Sequence, residues 1–358
     1  MTKTKLLAIS FLLILSLTPH ASATAAGESG GTAASPPQCA SGTTGGCRHS
    51  SKALKLKFIA IASILITSMI GVCLPLFCRA VPSLQPDKDL FVLVKAFASG
   101  VILATGYMHV LPDSFDDLRS ECLPENPWRK FPFTTFVAML SAILTLMVDS
   151  YAMSYYGKRN LNSGGVIKSS DDENVNTKLE SQDIGHSHGF KVDDEASQLL
   201  RYRVVAQVLE LGIVVHSVVI GLSMGASDNP CTIRPLVAAL CFHQLFEGMG
   251  LGGCILQAEY GMKMKAIMVF FFSATTPFGI ALGIGLSNVY SENSPTALIV
   301  VGLLNACSAG LLNYMALVDL LASDFMGSKL QKSMKLQTWA YIAVLLGAGG
   351  MSLMAKWA

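Results

Sequence analysis

The sequence predicts an all-α integral membrane protein with eight transmembrane helices, and three observations carry that reading. Of its 358 residues 51% are apolar and only 14% are charged, where a soluble domain has about a quarter charged. Eight stretches reach about 20 mostly apolar residues, the length that a helix rising ~1.5 Å per residue needs to cross ~30 Å of hydrocarbon. The cationic residues fall unevenly on the connections between these stretches, as they do in membrane proteins of fixed orientation. A formal net charge of +2 and the lack of a Lys/Arg-rich run with interleaved aromatics set nucleic-acid binding aside.

Residues 1–23 read as a secretory signal peptide: Lys3 and Lys5, an apolar run from Leu6 to Leu17, then small residues at Ala21-Ser22-Ala23. Residues 24–56 are rich in Gly, Ser, Thr and Ala at their start, too poor in apolar surface for a core, and read as a flexible extracellular segment. Spans one to three occupy residues 57–156, at Lys57 to Cys78, Leu90 to Leu111 and Phe133 to Tyr155. Residues 157–200 are polar and lack a hydrophobic period, which predicts a disordered cytoplasmic loop. Spans four to eight fill residues 201–358, at Val204 to Ala226, Leu236 to Leu256, Ala266 to Leu286, Thr296 to Leu321 and Thr338 to Ala355. All must be helical, because lipid offers unpaired backbone groups no partner.

A signal peptide places the mature N-terminus outside, which makes the connections after spans one, three, five and seven cytoplasmic. Those connections hold Arg79 and Lys88, the cations from Lys158 to Arg203, Lys263 and Lys265, and Lys329, Lys332 and Lys335. The opposite side holds Arg119, Arg129, Lys130, Arg234 and Lys356, in keeping with the positive-inside rule. Arg48, Lys52, Lys55 and Lys57 run against it. Cys39, Cys47, Cys122 and Cys231 fall on the oxidising side, where disulfides form and where three pairings are open. Cys73, Cys78, Cys241, Cys254 and Cys307 lie in or beside spans and read as small packing residues.

Ionisable groups deep in a bilayer are costly and need a reason. His216 lies about halfway through span four, and His243 and Glu247 near the middle of span five. A spacing of four puts His243 and Glu247 on one helical face. With His216 they offer two imidazoles and a carboxylate, a donor set suited to Zn²⁺ and similar divalent metals. Ser217 and Gln244, each following a histidine, are placed to complete or orient the site. A hydrogen-bonded His–Glu pair that merely glues two helices is the alternative, although Ser, Thr or Asn would serve that purpose more cheaply.

Span two ends in His109-Val-Leu-Pro-Asp113 with Asp116 and Asp117 beyond. In the orientation above this is the external mouth, with His109 roughly 12 Å above the midplane by helix rise. His109, Asp113 and Asp116 then form an entrance relay that concentrates cations. In the long loop, His186-Ser-His188 offers a loose metal site after exit. Small and polar residues in spans six and seven, including Ser273, Thr275, Thr276, Ser308, Asn305, Asn313 and Asp319, read mostly as packing.

Together, His109-Val-Leu-Pro-Asp113, His216-Ser-Val-Val-Ile-Gly221, His243-Gln-Leu-Phe-Glu247-Gly and Leu304-Asn-Ala-Cys-Ser-Ala-Gly310 with Tyr314-Met-Ala-Leu-Val-Asp319 resemble the ZIP (zinc/iron-regulated transporter-like) family. The plant branch is the nearest in kind, and the resemblance runs from about Lys52 onward. It implies both ends outside, spans one to three repeated in inverted form as spans six to eight around spans four and five, and metal moving towards the cytoplasm. It also implies a transport site of His216, His243 and Glu247 with Ser217 and Gln244 adjacent. Bacterial relatives tend to carry Asn and Glu where this chain has Ser217 and Ile220, and Asp at Gln244, so one ion bound at a time is expected. Many members have a longer His-rich loop than His186-Ser-His188.

The expected substrate is Zn²⁺, with Fe²⁺, Mn²⁺ and Cd²⁺ also admitted by this donor set. No resident cofactor is expected. No ATP-binding Gly-rich loop is present, so the driving force is an ion gradient, the membrane potential or a coupled ion. The same ligands would suit an intramembrane metal-dependent hydrolase, which lacks here a clear second carboxylate beside the site, or a metal-sensing receptor without flux. The expected partners are the metal ion and the lipid bilayer, with a homodimer allowed, and the expected location is the plasma membrane.

Overall fold

The helices of this chain pack chiefly on partners other than their neighbours in the chain. The computed structural model describes residues 49–77, 88–164, 187–287 and 294–356. The signal peptide, most of the N-terminal segment, Cys39, Cys47, Cys78, His186 and the side chain of His188 lie outside the described residues. Every regular element among the described residues is helical. Eight helices are long and apolar enough to cross a membrane. They are α1 (Ser50–Phe77), α2 (Asp89–Leu118), α3 (Phe133–Gly164), α4 (Ser187–Ala226), α5 (Pro230–Gln257), α6 (Met262–Leu286), α7 (Pro295–Phe325) and α8 (Met334–Ala355).

Local chemistry fixes the starts. Asn229 accepts from the Cys231 amide at 3.0 Å and Ser294 from the Ala297 amide at 3.3 Å, and a proline opens the first turn of α5 and of α7. A proline there forfeits only an N–H that has no intrahelical partner. Two sequence expectations are corrected. Pro112 does not end α2; a π-helical stretch at Gly106–Val110 precedes it and the helix continues to Leu118. A widened turn absorbs the missing N–H and the ring clash that a proline imposes on a regular helix. The 157–200 loop is shorter than expected, because α3 runs to Gly164 and α4 begins at Ser187.

Glycines sort the helices into two groups. A Cβ at Gly71 would lie 2.3 Å from the Leu245 carbonyl oxygen, and one at Gly252 2.4 Å from that of Val72, so α1 and α5 touch backbone to backbone. The same holds for α4 and α6, at Gly225 (2.3 Å to Ile280 O) and Gly283 (2.4 Å to Leu222 O). It holds again for α2 and α8, at Gly100 (2.1 Å to Val344 O) and Gly347 (2.2 Å to Phe97 O), and for α3 and α7 at Gly310 (2.2 Å to Ala138 O). Where α5 meets α2, a Cβ would meet side chains rather than backbone: one at Gly250 would stand 3.3 Å from Ile102 Cδ1, a tight contact, and one at Gly253 3.4 Å from Phe91 Cζ. Gly212 on α4 likewise faces a flexible tip of α7, Met315 Cε at 2.8 Å. These four pairs join into two groups, since α1 also packs on α6 and α4 on α5, while α2 packs on α7 through Gly106 against Asn313 and Gly302 against Leu118: α1, α4, α5 and α6 form one group, α2, α3, α7 and α8 the other. Between them lie aromatic side chains, with Phe246 of α5 4.7 Å from Phe97 of α2 and 4.9 Å from Phe242.

Cys122 and Cys231 are disulfide-bonded, at the connection between α2 and α3 and at the start of α5. Cys73, Cys241, Cys254 and Cys307 are free. Lys57, one of the cations on the wrong side of the charge count, is buried at 3% exposure and pairs with Asp228 at 3.8 Å.

Candidate metal site

The connection from Ala226 to Pro230 is so short that α4 and α5 must run antiparallel side by side, which brings the middle of one against the middle of the other. Their ionisable residues meet there. One ligand atom each from His216, His243 and Glu247 all lie within 4.8 Å of one another. The two imidazole rings are 5.8 Å apart between centroids. His216 is 1% exposed and His243 and Glu247 are 0% exposed. Gly248 and Gly252 let α1 close over the back of α5, and Gly221 and Gly225 let α6 do the same for α4, which accounts for this burial.

None of the six ligand atoms has a hydrogen-bond partner: both nitrogens of His216, both of His243 and both oxygens of Glu247 stand unsatisfied. The His–Glu hydrogen bond that would make this a structural glue is not formed. Each unsatisfied buried polar group costs about 1–3 kcal/mol, more when charged. A packing role would have been filled by apolar residues at no such cost. A divalent cation satisfies the set, since imidazole nitrogens and a carboxylate are the donors of Zn²⁺ sites and also of the two-His, one-carboxylate sites that hold Fe²⁺.

The neighbouring residues have the same character. Ser217 and Gln244 are each 1% exposed, and Ser217 Oγ and Gln244 Nε2 have no partner. His109 differs from its expected place. It is 6% exposed with Nε2 unpartnered, and its ring centroid lies 6.0 Å from that of His243, beside the three ligands rather than at a distant mouth. A count of helix rise gives depth only along a straight, untilted helix, and His109 sits in the π-helical turn. Asp113 and Asp116, one and two turns further along α2, are exposed. His186 and the His188 side chain lie outside the described residues.

Several residues read from sequence mostly as packing carry unpartnered polar groups. Ser273 and Thr276 on α6 and Ser308 on α7 are buried with unpartnered hydroxyls, and Asn313 Oδ1 is unpartnered too. The Thr276 carbonyl packs against Gly221, five residues past His216, so the hydroxyl-bearing stretch of α6 flanks the ligand-bearing stretch of α4. Their clustering in otherwise apolar helices was the available signal. On the other side of the site, Tyr314 donates to Asp149 Oδ2 at 3.5 Å, and Asp319, 2% exposed, has Oδ2 unpartnered.

Residues 54–355 match the family model described as ZIP zinc transporter. The chain is 64% identical over 330 residues to "Fe(2+) transport protein 1" of Oryza sativa subsp. japonica, covering 88% of this chain and 87% of that protein. It is 60% identical over 331 residues to "Probable zinc transporter 10" of Arabidopsis thaliana, covering 89% and 91%. To "Fe(2+) transport protein 1" of Arabidopsis thaliana it is 60% identical over 328 residues, covering 91% and 92%. With a family match across nearly all of the described helices and relatives aligned over most of their length, the chain belongs to the ZIP zinc transporter family, multi-pass membrane transporters of divalent metal ions and not enzymes.

Proposed function

We propose that His216, His243 and Glu247 are the site through which this chain passes Zn²⁺ and Fe²⁺, one ion at a time, into the cytoplasm across the plasma membrane. The observation that carries this is the convergence of three buried side chains whose ligand atoms have no protein partner. Both metals fit because one donor set serves both, and relatives of the chain bear zinc and Fe(2+) transport names. Ser217 and Gln244 orient or complete the shell.

Asp116 and Asp113 gather the hydrated cation, His109 takes it from them, and the three ligands receive it after partial loss of water. Asp149 and Asp319 lie towards the other end, where carboxylates draw the ion onward. The disulfides at Cys122 and Cys231 fit an oxidising compartment at the α2–α3 and α4–α5 ends. That agrees with the charge count in placing both termini outside. Two positive charges moving into a negative interior gain about 4.6 kcal/mol per 100 mV, which favours import. An inverted repeat of α1–α3 and α6–α8 around α4 and α5 is supported by the pairing of the helices: α1 with α5 answers α6 with α4, and α2 with α8 answers α7 with α3.

The test is radiotracer uptake of Zn²⁺ and Fe²⁺, each with the other as competitor, in cells lacking their own importers. His243→Ala and Glu247→Ala are expected to reduce uptake to background with the protein still in the membrane. Wild-type flux in either variant overturns the assignment.

A further inference from the structure

Lys95 is a lysine buried inside the helix bundle, 4% exposed, where an ammonium needs a specific purpose. Its Nζ donates to Asp324 Oδ1 on α7 at 2.9 Å and to Gln257 Oε1 on α5 at 3.0 Å. The first bond joins two helices of one group. The second crosses to the other group and ends on the helix that carries His243 and Glu247. Several interhelical bonds among the described residues stay within a group, as with Ser114 to the Gly302 carbonyl, Ser141 to the Cys307 carbonyl and Arg203 to the Ala258 carbonyl.

A crevice of about 120 Å³ opens between α1, α2 and α5, lined by Leu74, Phe91, Lys95, Met249 and Gly253 among others. The crevice is bounded by Phe91 of α2 and Gly253 of α5, at the end that the charge count assigns to the cytoplasm. Gln257 lies ten residues beyond Glu247, ~15 Å along the same rigid helix, so any shift of the metal ligands towards this end must move Gln257 away from Lys95.

We propose that Lys95, Gln257 and Asp324 form a cytoplasmic latch that sets how readily the metal-bearing group moves inward. Asp324 fixes the Lys95 ammonium, and Lys95 holds α5 through Gln257. Release strands no charge, because Lys95 keeps its carboxylate when the neutral amide departs. A glutamate at 257 would make the bond an ion pair and hold it; an apolar side chain would abolish it. Lys95 and Gln257 are positioning residues here and touch no metal.

The reading rests on the proposed transport site and takes α5 to move with its ligands, and the reporter is chosen to need no metal flux. Cys254, three residues before Gln257, is free and 2% exposed. With Cys73, Cys78, Cys241 and Cys307 replaced by serine in the full chain, inside-out vesicles are treated with a membrane-impermeant maleimide. Gln257→Leu is expected to raise the rate of Cys254 modification at least about fivefold, and Gln257→Glu to lower it below the parent while slowing uptake. Gln257→Asn, one methylene shorter, should give the same rise if leucine is not tolerated. Equal rates in the parent and in every variant that reaches the membrane overturn the latch. If uptake by the parent is intact in that case, the transport site stands and only the latch falls.

Discussion

His216, His243 and Glu247 each bury polar atoms that the protein leaves unsatisfied, and this has an energetic consequence at the level of the single residue. Without a cation the three side chains lower stability, so removing one of them should not unfold the chain. His216→Ala is expected to leave thermal stability in metal-free detergent within about 1 kcal/mol of the parent, or slightly above it. Zinc at a hundred times its dissociation constant should stabilise the parent by about 2.7 kcal/mol and the variant by far less, read as the shift in melting temperature on adding metal. A variant that melts much lower without metal would mean that the histidine is structural. The same three residues were legible from sequence because charge in the middle of an apolar stretch stands out. Lys95 and the place of His109 were not: a lysine near the end of a span looks like an ordinary interfacial cation, and a depth counted along one helix says nothing of where its neighbour comes closest.

A second consequence at this scale concerns pH. Imidazole and carboxylate bind a metal only when deprotonated, so protons compete with the cation. Binding is strongest when all three ligands are deprotonated and is lost as falling pH protonates them. Uptake at subsaturating zinc, with the membrane potential clamped, should therefore decline as the pH falls, chiefly through a rising KM. A KM that does not rise with falling pH would argue against ligands that compete with protons.

At the scale of the element, the glycines divide into those that let backbones touch and those that face flexible tips. Gly252→Val would drive a branched side chain into the Val72 carbonyl, where a Cβ alone already stands at 2.4 Å. A destabilisation of about 1–3 kcal/mol or more is expected. Gly250→Ala meets side chains, the Ile102 tip at 3.3 Å and Ala98 Cβ at 3.7 Å, so a shift of the Ile102 tip by a few tenths of an ångström admits it, and with up to about 1 kcal/mol gained in helix propensity it should be neutral or stabilising. Unfolding of both variants in detergent decides it, and equal losses would refute the division. The spans themselves could be read from length and apolarity, which depend on the bilayer alone. Their ends could not, because the π-helical turns at Gly106–Val110 and Met315–Ala322 depend on which neighbours press on α2 and α7. Pro112 shows this directly: local chemistry predicts a stop, while packing of Ser114 on the Gly302 carbonyl at 2.7 Å continues the helix.

At the scale of the whole molecule, two interlocked groups meet across side-chain contacts, and the proposed metal ligands belong to one group while His109, Asp113 and Asp116 belong to the other. An ion handed from the second group to the first can then be released on the far side if the first group shifts against the second. This predicts that a covalent tie within a group is harmless and one between groups is not. Ser141→Cys sets a second thiol against Cys307, whose sulfur lies 3.4 Å from Ser141 Oγ, and joins α3 to α7 within one group. Phe97→Cys with Phe246→Cys, at a site where the rings stand 4.7 Å apart, joins α2 to α5 across the boundary. After treatment with a short bifunctional thiol reagent that a reductant can cleave, zinc uptake should remain above about half in the first variant and fall to background in the second, returning on reduction. Were the cross-group tie to leave uptake intact, the metal would have to pass without relative motion of the groups, and both the release step and the latch at Lys95 would fall with it.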